Sequence, residues 1–250
     1  MFLDGLQDAY EEGRLMGSFA EDCAEKYQLT RQAQDDYALR SLSRAQTAQA
    51  SGDFEDEIAP ITVRTRKGEI TVAADEQPER ALPDKIPHLK PASTPDGPIT
   101  AADASSISGG AAALVLMRES TALAQSVPIR AYLNSYGTHA QAPGWFTTAP
   151  IGAIQQALSR AKLALGDVDL WEINEAFAVV PMAAARELDI PENRLNTRGG
   201  ACALGHPIGA SGARIIVTLL NAMEAEEAHH GVAALCIGGG EGTAVTLQRP

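Results

Sequence analysis

Apolar residues recur at helical spacing in some segments of the chain, alternate in others and run continuously in a few. These three patterns divide it into elements. SFAEDCAEKY places Ser18 three residues ahead of Glu21, the spacing of a capping box, and predicts a helix start there. After Thr30, Ala38, Leu42, Ala45 and Gln49 fall at three- and four-residue steps. They predict a second helix ending at Ser51–Gly52, where glycine suits a left-handed closing turn. EIAPITVRTRKGEITVAADE predicts two strands about a Lys67–Gly68 turn. Gln77 to Pro98 holds six prolines and little periodicity, which predicts exposed loop. The small polar stretch ITAADASSISGG then gives way to the unbroken apolar run Ala111–Met117, which predicts a buried strand.

The second half alternates more regularly. Pro150 followed by Ile151, Ile154, Leu158, Ala161 and Leu165 predicts an amphipathic helix closed by Gly166. VDLWEIN predicts a strand that feeds EAFAVVPMAAARELD, a helix broken or restarted at Pro181. Ala210–Glu226 predicts a further helix, and GVAALCIGGGEGTAVTLQ predicts strand, glycine turn, strand. Strands alternating with helices place the chain in the α/β class, and no internal repeat is visible.

Composition narrows the function classes. The 250 residues, 45% of them hydrophobic, are enough for a substantial core. Lys and Arg total 20 against 32 Asp and Glu, a net charge of −12. That balance argues against nucleic-acid and anionic-membrane partners, because the attraction to phosphate is missing. The one compact basic stretch, Arg64–Lys67, reads as a solvated hairpin. No apolar run approaches the ~18 residues of a membrane helix, and MFLDGLQDAYEE lacks the layout of a signal peptide. Three cysteines, Cys23, Cys202 and Cys236, form no disulfide framework and suit a cytoplasmic setting. No Cys or His pair has zinc-ligand spacing, and the adjacent His229 and His230 read as solvated, so no metal is expected.

Three stretches could carry chemistry. Asn174 lies where a strand gives way to a helix: it either caps that helix or presents its amide to a cleft, holding a water or an oxyanion. His206 sits in GGACALGHPIGASG, where Gly205, Gly209 and Gly212 would let a ligand approach the backbone, just ahead of a helix N-terminus that favours negative charge. The glycine spacing is not that of a dinucleotide loop. The imidazole is either a base and donor or a structural turn residue. Cys236 ends a strand before IGGGEG and is either a tuned proton donor or a small buried hydrophobe. Cys202 and Cys23 read as packing residues.

NEAF, GGACALGHPIGASG and CIGGGEGTA, in that order, resemble the thiolase family. GRLMGSFAEDCAEKY and ITAADASSISGGAAALV extend the resemblance over essentially the whole chain. WFTTAP and VDLWEINEAFAVV are most similar to its bacterial acetyl-CoA acetyltransferase branch rather than to the sterol-carrier type. The resemblance implies that His206 activates a nucleophilic cysteine and helps bind the thioester oxygen, and that Asn174 holds the water sharing that oxyanion site. It implies that Cys236 exchanges the proton at the substrate α-carbon while the amide of Gly238 serves a second oxyanion hole. Ser105, Leu15, Met16, Ala176 and Phe177 would line the groove for the pantetheine arm of coenzyme A. Coenzyme A thioesters would be substrates, with no permanently bound cofactor, and a homo-oligomer would be expected.

The chain also departs from the family pattern. Thiolases carry their nucleophilic cysteine in an N-terminal half, and neither Cys23 nor Cys202 matches its motif. SSISGG stands for a more usual Ser-Gly-x-Asn-Asp-Gly, and Ser93 stands where phenylalanine is common. The implied architecture is a layered thiolase-like fold, incomplete here. It would hold a loop domain over 1–107, a remnant strand and helix of the first half over 108–126, and a C-terminal domain over 127–250. Two functions follow as alternatives. One is thiolase-type acyl transfer, condensing two acetyl-CoA or cleaving acetoacetyl-CoA. The other is a non-catalytic acyl-CoA-binding or partner subunit, associated with a missing N-terminal half. Ketoacyl synthases fit poorly, because their sites use two histidines where this chain offers His206 and a thiol.

Overall fold

Four strands order the C-terminal part of the chain, and the computed structural model describes residues 2–250. Met1, on which the expected first domain opens, lies outside the described residues. The helices are α1 (Met16–Lys26), α2 (Arg31–Ser51), α3 (Gln77–Arg80), α4 (Glu119–Ala124), α5 (Ala149–Ala161), α6 (Val179–Leu188), α7 (Ala201–Leu204) and α8 (Ser211–Ala225). The strands are β1 (Ile61–Thr65), β2 (Gly68–Val72), β3 (Tyr132–Ala140), β4 (Leu170–Ile173), β5 (His230–Ile237) and β6 (Glu241–Gln248).

β3, β6, β5 and β4 form one sheet in that order, with β4 parallel to β5 and the other neighbours antiparallel. α5 and α8 cover it. The α5 side buries Ile154, Leu158, Trp171, Ile173 and Val232 together; the α8 side buries Leu170, Ile215, Leu219 and Met223. Close approach between sheet and helix depends on missing side chains: a Cβ on Gly137 would stand 2.1 Å from the Ala153 carbonyl oxygen. α1 and α2 belong to the first part of the chain. α1 packs Ala20, Cys23 and Ala24 against Ile99, Val179 and Ala183, and so meets α6.

Several sequence expectations hold. Thr30 caps α2 by accepting from Ala33 N at 3.2 Å, and Gly52 closes it at φ 81°. β1 and β2 pair antiparallel across the Lys67–Gly68 region, and the two C-terminal strands form the hairpin expected about the glycines.

Four expectations are corrected. Ser18 and Glu21 do not make a capping box: α1 begins at Met16, the Ser18 hydroxyl donates back to Leu15 O, and Glu21 instead accepts from Thr94 N and Oγ1. α5 closes at Lys162, which takes the left-handed conformation at φ 59°, before Gly166 is reached. Pro181 does not interrupt a helix, because α6 starts only at Val179 and the proline sits in its first turn, where no intrahelical N–H is needed. Ala111–Met117 is neither paired as a strand nor buried. Val115 is 87% and Leu116 75% exposed, since none of the described strands lies alongside it.

Candidate active site

The parallel β4–β5 ladder ends by placing Asn174. Its last registered pair is Ile173 with Ala234, and Asn174 N continues it by donating to Ala234 O at 2.9 Å. The C-terminal ends of parallel strands are where open α/β sheets present ligand-facing groups. Asn174 does not cap the following helix, whose N-cap is Ala178, four residues on. Its side chain is buried and turned instead toward His206, with Nδ2 3.4 Å from Nε2. Oδ1 is buried with no hydrogen-bond partner.

His206 is fixed at both ends. Its N–H donates to Ser106 O at 3.1 Å, and Nδ1 lies 2.5 Å from Ser211 Oγ in the first turn of α8. The Ser211 hydroxyl gives its one proton to Pro207 O at 2.9 Å, so it offers Nδ1 a lone pair. The imidazole proton therefore belongs on Nδ1, and Nε2 is the basic nitrogen, aimed at Asn174. Burial, then the nearby Arg214 guanidinium, push the His206 pKa below its ordinary value. A neutral imidazole is the form that can accept a proton.

The surrounding glycines act differently from expectation. Gly205, at φ 88°, does not leave room for a ligand, because a Cβ there would stand 2.1 Å from Ser108 Oγ; a Cβ on Gly212 would touch Leu235. Only Gly209 of the three faces open space. Gly199 and Gly200 admit protein as well: Cβ atoms would meet Ser41 O at 2.5 Å and Glu175 Cδ at 2.4 Å.

A continuous chain of contacts leads from this pair to the remaining expected residues. Ser105 N and Oγ both donate to Ala176 O, at 3.1 and 2.9 Å, and Ala104 pairs with Phe177. A Cβ on Gly17 would meet Ser93 and, at 3.9 Å, Phe177. Met16, the first residue of α1, reaches Gly238: a Cβ built there would lie 3.2 Å from its sulfur. Met16 shares a core cluster with Cys236, against which Ala176 and Phe177 also pack. Leu15, just outside α1, is half exposed, and Gly238 is exposed. The structure thus sets Asn174 against His206 directly, ties Ser105 to Ala176, and buries Met16 and Cys236 in one core cluster on which Ala176 and Phe177 pack, with Gly238 against Met16.

Burial pushes the Cys236 thiol up to about 12, so it is protonated at neutral pH. Cys23 is buried and raised for the same reason. Cys202 is raised well above its ordinary value by burial, Glu175 and Asp103. Two open clefts of about 520 and 370 Å³ are lined by Tyr10, Arg14 and Trp145 and by His139, Gln156 and Arg160 respectively. Neither touches Asn174, His206 or Cys236, and the hydrogen-bonded pair is the stronger pointer to chemistry. Among the described residues no group of three or more His, Cys, Asp or Glu is placed to hold a metal, and no helix is long and apolar enough to cross a membrane.

Residues 1–120 match the N-terminal domain of thiolase and residues 127–249 its C-terminal domain. The chain belongs to the thiolase family. A "Probable acetyl-CoA acetyltransferase" of Dictyostelium discoideum is 49% identical over 247 residues, 98% of this chain and 59% of that one. An "Acetyl-CoA acetyltransferase" of Yarrowia lipolytica is 45% identical over 246 residues, 98% of this chain and 61% of that one. The crystal structure of the Bacillus anthracis acetyl-CoA acetyltransferase superposes with a TM-score of 0.94 at 39% identity, covering 98% of this chain and 62% of that one. The chain spans about three fifths of the length of these thiolase relatives.

Sequence reasoning passed over four residues that surround the Asn174–His206 pair: Ser211, Arg214, Glu175 and Asn196. Ser211 stands five positions after His206 and opens α8, a place at the helix start that could have identified it. Glu175 adjoins Asn174 in the same motif. Arg214 and Asn196 approach only through the fold.

Proposed function

We propose that the chain supplies the acid–base and oxyanion groups of a thiolase-type acyl transfer between coenzyme A thioesters, condensing two acetyl-CoA or cleaving acetoacetyl-CoA. The observation that carries this reading is the Asn174–His206 pair, a basic Nε2 beside an amide whose Oδ1 has no protein partner. In this reading Nε2 takes the proton of a nucleophilic cysteine, and the thiolate attacks the thioester carbonyl. Nε2–H, now a donor, and a water held by Asn174 Oδ1 share the developing oxyanion. The Cys236 thiol protonates the departing coenzyme A thiolate and so becomes the thiolate that takes the α-proton of the second acetyl-CoA. The enolate attacks the acyl-cysteine carbonyl, and the expelled cysteine thiolate takes its proton back from the imidazolium. Thiolysis is the reverse: the bond between the α-carbon and the ketone carbon of acetoacetyl-CoA breaks, and the Cys236 thiol gives its proton to the enolate carbon. Gly238 N–H stabilises the enolate oxygen. Ser105, Leu15, Met16, Ala176 and Phe177 hold the pantetheine arm, and no permanently bound cofactor is required.

The nucleophile is proposed to come from a thiolase half outside this sequence, whether contiguous with it or separate. Cys23 and Cys202, the two thiols with no part in this scheme, are both buried into the protonated form, which supports that division. In the proposed division, 1–107 is the loop domain, 108–126 a strand and helix of the nucleophile-bearing half, and 127–250 the C-terminal domain. The exposed run Ala111–Met117 is the surface that half would cover. Self-association is proposed through the β1–β2 hairpin, where Ile61 and Val63 lie opposite Val72 and Ile70 on one exposed face.

Co-expression with a nucleophile-bearing thiolase half tests the reading by the loss of acetoacetyl-CoA absorbance when coenzyme A is added. A well-formed complex that leaves acetoacetyl-CoA intact would falsify it. The same observation on the thiols favours a second behaviour for the isolated chain, acyl-CoA binding without turnover. A stable acetyl adduct on Cys23 or Cys202, seen by intact mass after incubation with acetyl-CoA, would rule that behaviour out.

A further inference from the structure

Next to Asn174 lies a carboxylate that neither the proposed acyl transfer nor the core packing explains. Glu175 is 1% exposed, yet no Lys or Arg among the described residues hydrogen-bonds it. Four neutral donors surround it instead. Tyr37 Oη and Asn196 Nδ2 donate to Oε1, each at 2.9 Å. Ser41 Oγ, at 2.7 Å, and Cys202 N, at 3.0 Å, donate to Oε2. Four donors saturate the acceptor capacity of a carboxylate. A buried carboxylate with no cation in hydrogen-bond contact is a poor source of stability, since well-packed apolar side chains would do as well. What the arrangement provides is fixed geometry.

The donors come from three segments that must agree for the site to exist. Tyr37 and Ser41 are one turn apart on α2. Asn196, held in the left-handed region at φ 47°, also brackets Ile173, accepting from its N–H at 2.8 Å and donating to its carbonyl at 2.9 Å. Both neighbours of Asn174 are therefore tied to one asparagine. Cys202 is the second residue of the short helix α7, which delivers His206 four residues later, and Gly200 N donates to the same Ser41 hydroxyl at 3.0 Å. Any side chain on Gly200 would overlap the Glu175 carboxylate, so the glycine of this motif serves the clamp.

We infer that Glu175 is the positioning residue of the site: its carboxylate sets the separation of Asn174 and His206 by locking their two loops to each other and to α2. The inference rests on the proposed acid–base role of that pair, but its test needs neither substrate nor nucleophile.

The test is the pH titration of His206 in chain labelled at histidine Cε1, followed by NMR and assigned with His206→Gln. Glu175→Gln keeps the shape but brings an NH2 donor against donors. The Asn174 loop should then lose its register, Nε2 its amide neighbour and the site its dryness. The His206 midpoint is expected to rise by about half a pH unit or more, because a wetter imidazole without a donor at Nε2 protonates more readily. Ser41→Ala removes one donor of four and should move the midpoint the same way by less. Leu158→Ala, in the core under α5 on the face of the sheet opposite α8, should lower the melting temperature and leave the midpoint in place. The proposal is overturned by a folded Glu175→Gln whose midpoint stays within about 0.1 unit of the parent, or by Leu158→Ala shifting it as far. Where Glu175→Gln does not fold, Ser41→Ala decides: an unmoved midpoint overturns the proposal. A shift stands even when the reconstituted chain transfers no acyl group, so the two readings fail separately.

Discussion

Asn174 Nδ2 lies 3.4 Å from His206 Nε2, although 32 positions separate them in the chain. The distance is long for a hydrogen bond, so the amide orients the ring weakly while its Oδ1 remains free for water. In the reconstituted acyl-transfer assembly, Asn174→Ala removes the holder of that water and leaves the imidazole in place. The expected result is a fall in kcat of about 10²–10³ with little change in KM, the magnitude typical of losing one oxyanion donor. Steady-state thiolysis of acetoacetyl-CoA checks it, and a change confined to KM would contradict it.

Arg214 bears on the same imidazole by charge alone. A cation nearby disfavours the imidazolium, and burial disfavours it more. Replacing Arg214 by Met is therefore expected to raise the His206 midpoint while leaving it below the ordinary value of 6.5, because burial remains. Histidine NMR reads this directly. A midpoint that falls, or that climbs past the ordinary value, would show that the two causes are ranked wrongly.

The three thiols share one prediction. Cys23, Cys202 and Cys236 are all raised above the ordinary thiol value, chiefly by burial. Native chain at pH 7.5 is expected to take up less than one equivalent of a thiol reagent on a timescale of minutes, and three equivalents after denaturation. Rapid native labelling at Cys236 would mean that its thiol is exposed and ionised.

The elements that the sequence displayed clearly are those whose pattern is local. Thr30 and Gly52 bound α2 because a cap and a left-handed glycine act within a few residues. The Gly238–Gly240 turn joins β5 to β6, which pair directly with each other. The approach of Asn174 to His206 was legible because one stands at a strand end and the other ahead of a helix start, where side chains can face a common cleft. Ala111–Met117 misled, since an apolar run reports that burial is wanted without saying against what. Ser18 and Glu21 misled for a related reason: the right spacing cannot show that Thr94, far along the chain, takes the carboxylate. Glu175 was invisible as a clamp because its four donors come from positions 37, 41, 196 and 202.

Backbone contact makes Gly137 intolerant. It lies in β3 beneath α5, where an added Cβ would stand 2.1 Å from Ala153 O and 2.7 Å from Ala157 N. These are main-chain atoms of a helix, so no flexible side chain can yield. Gly137→Ala is expected to destabilise the chain by about 2 kcal/mol or more, by lifting α5 off the sheet. Urea unfolding followed by circular dichroism checks it. An unchanged midpoint would mean that α5 sits farther from β3 than its carbonyls indicate.

Glu172 gives the chain an unusual pH dependence. It is 2% exposed on β4, and its closest basic atom, Arg214 Nη1 at 3.9 Å, is too far for a hydrogen bond. Burial, with Glu175 and Glu57 nearby, pushes its pKa up to about 8 from an ordinary 4.5, against the opposing pull of Arg214 and Arg198. In the unfolded chain the carboxyl ionises near 4.5, whereas the folded chain keeps the proton until about pH 8. Between those values the folded state binds more protons, so stability falls as pH rises through the window, by at most about 1.4 kcal/mol per pH unit. Glu172→Gln is neutral at every pH and matches the protonated shape. Melting temperatures taken from pH 5 to 8 should therefore decline less in the variant than in the parent, with the largest gap at the alkaline end. Parallel curves would place the ionised form of Glu172 in the fold, and Arg214 would then be its counter-ion rather than a distant neighbour.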